Sequence, residues 1–465
     1  MKQQICNHIK TAVLIVIFTA GFTSLSVAQQ KQKKVEKQIP FKKKKEVKQG
    51  WLLAPLPIIS FNTDVGLRLG AIANIYDYGA GETYPDYRHF FYVEATYTTK
   101  NSGIFRLFYD SDKLLKLNKK YYRITADLSY LLDGAMNFYG FNGYESNYDR
   151  AYENPASDKY ITRLYYRQNR KLFRAQIDIH GFLFKKKMSW VTGVVFLNYQ
   201  LRKARGRKLS KKEKNLPDTT TLFEDYIDYG LIATNESRGG VLNIYKFGII
   251  YDTRNIKANA SRGLWEEVVV YTNLDNIMSN HYGFAGITAI HRQYITLIKN
   301  RLTFVYRLGG KIKLSGEMPF YFTPYIITSF NLSEDRDGLG GAGTLRGISR
   351  NRITGDGVGF GNFCLRYKLL KFRFLDNDSY ISLNGFMDAG QVIQEHGTDA
   401  AAKEKMEKDY PGRYFDKPTD ALHISFGGGF HFSMSENFVL RLNYGKSLDP
   451  QDGNGSLYLT TNWIF

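Results

Sequence analysis

Apolar side chains recur at every second position along most of this chain, with charged or polar residues between them. Tyr122, Ile124, Ala126, Leu128 and Tyr130 share one face of an extended backbone, and Arg123, Thr125, Asp127 and Ser129 share the other. Ala175, Ile177 and Ile179 oppose Arg174, Gln176, Asp178 and His180 in the same way, as Leu302, Phe304, Tyr306 and Leu308 oppose Arg301, Thr303 and Arg307. Phe438, Leu440, Leu442 and Tyr444 repeat the pattern against Asn437, Arg441 and Asn443. A soluble antiparallel sheet must cover its apolar face with a second layer, and no amphipathic helix here is long enough to do so. After residue 28 no stretch approaches the length of a helical membrane span. An antiparallel barrel closed in a bilayer meets both constraints: lipid covers the outside and closure removes the edges. The composition agrees, with 15% aromatic residues, 42 glycines and 11 prolines.

The alternating runs predict an all-β transmembrane barrel of about sixteen strands, near 65–77, 88–99, 103–111, 121–132, 159–168, 172–184, 190–201, 241–252, 263–273, 282–294, 300–314, 358–370, 379–389, 421–432, 436–446 and 454–465. An even count puts both ends on the periplasmic side, so 202–240, 315–357 and 390–420 become extracellular loops. Residues 133–158 then form an unusually long periplasmic connection. Asp399 to Asp409 reads as a short helical turn, and Tyr76, Tyr78, Tyr271 and Trp463 read as interfacial aromatics.

The first residues read as an export signal. Lys2 and Lys10 precede an apolar run from Thr11 to Leu25, and Ser26-Val27-Ala28 supplies small residues for cleavage. Residues 1–28 are the expected signal peptide, 29–54 a basic periplasmic tether and 55–465 the barrel. Cleavage leaves Cys364 as the single cysteine, which excludes an intramolecular disulfide. The net charge is +20, and nine lysines between Lys31 and Lys48 face only Glu36 and Glu46. Such a run cannot bury a core. It suits anionic headgroups of outer-membrane lipid or a periplasmic or outer-membrane partner protein. No nucleic-acid motif accompanies the charge, so nucleic acid is not an expected partner.

Between two predicted strands, Gly338-Leu-Gly-Gly-Ala-Gly-Thr-Leu-Arg346-Gly347-Ile348 sets an arginine among glycines in a loop of about forty residues. The last strand places Leu457, Leu459, Thr461, Trp463 and Phe465 outward and ends on that phenylalanine. A terminal phenylalanine on an amphipathic strand resembles the signal read by the barrel-assembly machinery, with Phe465, Trp463 and Leu459 as its expected residues.

Together these segments resemble the BamA/TamA family of outer-membrane assembly factors, the bacterial surface antigen family. Pro57-Ile58-Ile59-Ser60 with Gly66-Leu67-Arg68-Leu69-Gly70 is similar to the family's first strand, and Tyr251-Asp252-Thr253-Arg254-Asn255 with Ser261-Arg262-Gly263 to its mid-barrel turn. Thr344-Leu345-Arg346-Gly347-Ile348 resembles the sixth extracellular loop, and Phe386-Met387-Asp388-Ala389-Gly390 the strand motif that receives it. The resemblance implies that the loop folds into the lumen and that Arg346 pairs there with Asp388, forming a latch with Leu345, Gly347 and Ile348. The family's second acidic partner, a glutamate on the twelfth strand, corresponds to Cys364. Leu345 and Ile348 replace a valine and an aromatic residue. Too few residues separate Ala28 from the first strand for a polypeptide-transport-associated domain, so a short form is expected.

The resemblance implies an outer-membrane protein of a Gram-negative bacterium that inserts or translocates protein or lipid without being an enzyme. Two other classes stay open: a pore or structural subunit of an outer-membrane complex, and a barrel lipid hydrolase. For the last, His180, His423 and His431 fall on the lumen side, and His291 has no serine near it on its face. No metal or cofactor motif is present, and scattered carboxylates such as Glu224, Asp225 and Asp228 read as loop surface.

Overall fold

In the computed structural model of the protein, sixteen antiparallel strands close into a barrel. The structure describes residues 47–461 except 83, 85, 119, 185–186, 206–218, 257–258, 276–281, 330–336, 375–376 and 435–437. The expected signal peptide, residues 29–46 of the expected tether, and Trp463 and Phe465 lie outside the described residues. The chain divides at Val47, and the barrel belongs to the unit Lys48–Phe465.

The first eight strands are β1 (Trp51–Asn62), β2 (Gly66–Asp77), β3 (His89–Thr98), β4 (Ser102–Leu117), β5 (Lys120–Asn137), β6 (Arg167–Phe184), β7 (Met188–Lys203) and β8 (Val241–Asp252). The second eight are β9 (Gly263–Asn273), β10 (Phe284–Ile298), β11 (Leu302–Gly316), β12 (Gly357–Phe374), β13 (Asn377–Gln394), β14 (His423–Met434), β15 (Phe438–Ser447) and β16 (Ser456–Thr461). Each pairs with its neighbours in sequence, and β1 meets β16.

From β7 onward the strands match the alternation in the sequence, but two errors before it cancel in the total. Trp51–Asn62 is a strand that alternation does not mark, because Leu52, Leu56 and Ile58 make its inner face as apolar as its outer one. The barrel therefore begins four residues inside the segment read as tether. Residues 159–168 are not a strand: Tyr165 N–H donates to Thr162 C=O in a turn, and β6 begins at Arg167. Its neighbour 133–158 changes sides accordingly. The connection 138–166 leaves the same end of the barrel as 204–240, 317–356 and 395–422, so the long loops share one end and short turns occupy the other. By the usual asymmetry the long-loop end is extracellular.

Lipid-facing positions carry the exposed apolar residues, among them Leu128, Ile177, Val268, Val270, Leu365 and Leu442. The lumen holds the charges, cross-linked along the wall: Arg106 and Arg174 both pair with Asp127, Lys246 with Asp178, and Arg123 with Asp110. Such pairing is what burial of so many ions requires.

Over the extracellular end the loops pack on an aromatic core of Phe138, Phe141, Tyr165, Phe223, Tyr226, Phe320, Tyr321 and Tyr414. Tyr271 is buried against this core rather than set in an interfacial girdle, and Tyr78 is likewise buried while Tyr76 faces inward beside Tyr78 and Phe90. Two helices stiffen the roof. The first, α1 (Leu222–Asp228), starts in a capping box between Thr221 and Glu224, and α2 (Ala400–Asp409) starts at Asp399, whose carboxylate accepts from Ala401 and Ala402 N–H.

Candidate functional site

The loop 317–356 between β11 and β12 enters the lumen, and its arginines hold it there. Arg346 donates from its backbone N–H and Nε to Asp388 Oδ2, at 2.9 and 2.8 Å, and from Nη2 to Oδ1 at 2.8 Å. Its guanidinium lies 3.5 Å from the centroid of the Phe386 ring, on the same strand β13. Arg346 is 1% exposed and Asp388 0%, so both charges are out of bulk water. The fork geometry and the backbone bond saturate the carboxylate. Cys364, where the resemblance expects a second carboxylate, interacts with Arg346 and accepts a long contact from Asn384 Nδ2 at 4.0 Å. Asp388 is thus the one carboxylate hydrogen-bonded to Arg346 among the described residues.

Leu345 and Ile348 are fully buried in a mainly aliphatic cluster with Ile326, Leu339, Ile353, Val358, Phe360 and Val392. An aliphatic residue at 348 suits that pocket. Gly347 adopts φ +88°, and a Cβ there would lie 2.4 Å from Lys446 N on β15, so only glycine lets the loop lie on the wall. Its N–H donates to the Tyr458 hydroxyl on β16 at 3.1 Å. On the other side, Arg307 of β11 donates to the carbonyls of Gly343 and Thr344 at 3.0 and 3.3 Å.

Two more arginines in the same short run escaped the sequence reading. Arg350 and Arg170 of β6 share Asp133 of β5 and Asp337 of the loop in a buried four-residue network with contacts of 2.8 to 3.2 Å. Arg352 donates to the carbonyls of Gly143, Ser146 and Gln451 and so ties together three loops of the roof. The spacing Arg346, Arg350, Arg352 was the available signal; the partners were not.

The seam lies beside this latch. Among the described residues, which end at Thr461, β1 and β16 pair at Phe61 with Leu459 and Asn62 with Tyr458. Continuing the register would oppose Ser60 to Thr460 and Ile59 to Thr461, and neither pair forms. At the long-loop end Thr63 N–H donates to Leu457 C=O, and at the other end of β1 Gly50 exchanges hydrogen bonds with Gly79 and Tyr78 on the β2 side. Odd-numbered residues of β1 therefore turn their amides toward β16, and at Pro55 and Pro57 there is no N–H to turn. Of the expected terminal signal residues, Leu459 sits at this seam.

The histidines separate into two groups. His180, His423 and His431 are buried inside, and His423 is held between Asp420 and Asp452 at 2.9 and 2.6 Å. His291 faces lipid between Glu266 Oε1 at 2.8 Å and the Tyr306 hydroxyl at 3.2 Å. That relay ends on a phenol, a weak nucleophile.

No family profile and no curated protein matches the chain. Solved structures do resemble it. BamA from Haemophilus ducreyi lacking POTRA domains 1-3 aligns over 89% of this chain and 70% of its own with a TM-score of 0.53 and 13% identity. CdiB from Escherichia coli aligns over 89% of this chain and 63% of its own at 0.49 and 10%, and CdiB from Acinetobacter baumannii over 89% and 59% at 0.46 and 10%. At 13% identity the likeness to BamA establishes architecture alone: the chain has the closed sixteen-strand fold of an outer-membrane barrel.

Proposed function

We propose that the chain is a barrel of the BamA/TamA type that serves outer-membrane biogenesis, inserting or translocating protein or lipid at the β1–β16 seam. The observation that carries this reading is the seam itself: among the described residues it pairs at Phe61–Leu459 and Asn62–Tyr458, and the next two positions in register, Ser60 with Thr460 and Ile59 with Thr461, do not pair. A barrel used only as a wall gains from zipping every strand. The latch supports the same reading, since Gly347 touches Tyr458 and the loop thereby bears on the seam strand. The work is mechanical and electrostatic, with no covalent step. The Lys31 to Lys48 segment, in this reading, docks a periplasmic partner that delivers the client.

The alternative, a pore or structural subunit, is weakened by the aromatic roof packed over the extracellular end. Reconstitution separates the two. Proteoliposomes holding the protein should accelerate folding of a model barrel or transfer of labelled lipid between leaflets while conducting few ions. Steady conductance with neither acceleration would reject the biogenesis reading.

A further inference from the structure

We infer that the free edge of β12 at the periplasmic rim is a docking site for an extended strand of another protein, one that alternates acidic with apolar side chains. The inference concerns binding at the short-turn end of the barrel and does not depend on the biogenesis reading.

β12 and β13 each run 18 residues, and at this end their hairpin outreaches the strands beside it. Pairing of β11 with β12 stops at Leu302 with Tyr367, where β11 begins, and the last backbone hydrogen bond runs from Lys368 N–H to Arg301 C=O. β12 continues past that point, in register with β13 as far as Phe374 opposite Asn377. A bulge between Lys368 and Leu370 bends the strand as it leaves the wall. Among the described residues, no backbone hydrogen bond reaches 369–374 from any strand other than β13. The other flank of the hairpin differs, since β14 covers β13 as far as Ser379. The free edge is about 20 Å long, enough for a strand of ordinary length. Its alternating N–H and C=O groups are the template on which strand addition works.

The two faces of this edge define its occupant. Leu370 and Phe374 are 54% and 46% exposed, and with Phe372 they share the lipid side with Phe432 of β14, whose ring lies 6.2 Å from Phe372 and 6.0 Å from Phe374. Lys371 and Arg373 alternate with them on the opposite side, both exposed, and the adjoining turn adds the exposed Lys299 and Arg301. In the sequence of this corner, Lys299, Arg301, Lys368, Lys371 and Arg373 stand against Asp376 and Asp378, five cations to two carboxylates. Side chains of an added strand sit directly beside those of the edge. Acidic groups therefore belong beside Lys371 and Arg373, and apolar groups beside Leu370 and Phe372.

Two other occupants match the edge less completely. A lipid phosphate accepts from amides but donates nothing to the carbonyls that alternate with them. A second copy of this chain would set lysine and arginine beside lysine and arginine, and like charges side by side repel. The same cations that discourage self-pairing select for an acidic strand.

The test uses the full chain in nanodiscs of phosphatidylethanolamine and phosphatidylglycerol with two synthetic peptides, one alternating glutamate with valine and the other lysine with valine. Hydrogen exchange of the edge-facing amides in 369–374 should slow about tenfold with the glutamate peptide and stay unchanged with the lysine peptide. Lys371→Glu with Arg373→Glu should reverse the preference, with affinities shifting roughly tenfold in each direction. Heat-modifiable migration identifies the folded barrels in which that comparison is made. On the parent chain alone, equal protection by both peptides, protection by neither, or protection that follows phosphatidylglycerol content and not peptide overturns the inference, the last in favour of lipid. None of these readouts involves insertion or transfer, so such a failure leaves the biogenesis reading standing.

Discussion

Arg346 is buried at the cost of several kcal/mol of hydration, and three hydrogen bonds to one carboxylate together with the Phe386 ring offset that cost. Removing the cation leaves Asp388 buried alone. Arg346→Ala is expected to destabilise the barrel by about 3–5 kcal/mol, read as a lower denaturation midpoint and loss of the compact, heat-modifiable form. Arg346→Lys should fall between, since a lysine keeps the charge and loses the fork. Gly347→Ala places a methyl 2.4 Å from Lys446 N at φ +88° and should cost at least about 1 kcal/mol. At this scale Arg346 and Asp388 were legible because each sits in a recognisable run of residues. Arg350 with Asp133 was not, because the two are 217 positions apart and join only when β5 comes round to the loop.

Among elements, the loops of the roof are tied by carboxylates whose titration sets their acid limit. Burial alone would push Asp452 up, but its hydrogen bond to His423 and the Arg352 charge hold it below the ordinary carboxylate value. Asp356 behaves likewise, with His396 and Lys313 outweighing burial. A carboxyl with a lowered folded-state pKa stabilises fully above its unfolded value of about 3.9 and ceases to do so as the pH falls through its folded value. The roof should therefore resist protease at neutral pH and open below about pH 4, with the acid step diminished in Asp452→Asn. Elements also show where periodicity misleads. β1 escaped notice because it lacks a polar face, and 159–168 imitated a strand because Tyr165 and Tyr166 bury themselves in the roof rather than in a sheet. The short helix α2 was legible from Asp399, whose side chain caps it locally.

For the whole molecule, the roof and the latched loop together occupy the lumen from above. Phe138 and Phe320 stack edge to face at 6.5 Å within the roof. Replacing both by alanine should cost several kcal/mol, about 3–5 for each if independent, and raise ion conductance in planar bilayers above that of the parent. An unchanged conductance would show that the latched loop, and not the roof, is the barrier.

The sequence by itself determined a lipid-facing antiparallel barrel, since alternation at period two over so many segments creates an apolar face that only a bilayer can cover, and it marked Arg346 by its glycine setting. Tertiary structure alone decided which carboxylates take Arg346 and Arg350, which carbonyls take Arg352, which end holds 138–166 and in what register β1 meets β16. The physical reason is closure: alternation is a property of neighbours in the chain, whereas the stagger of a closed barrel and the meeting of its first and last strands depend on residues hundreds of positions apart.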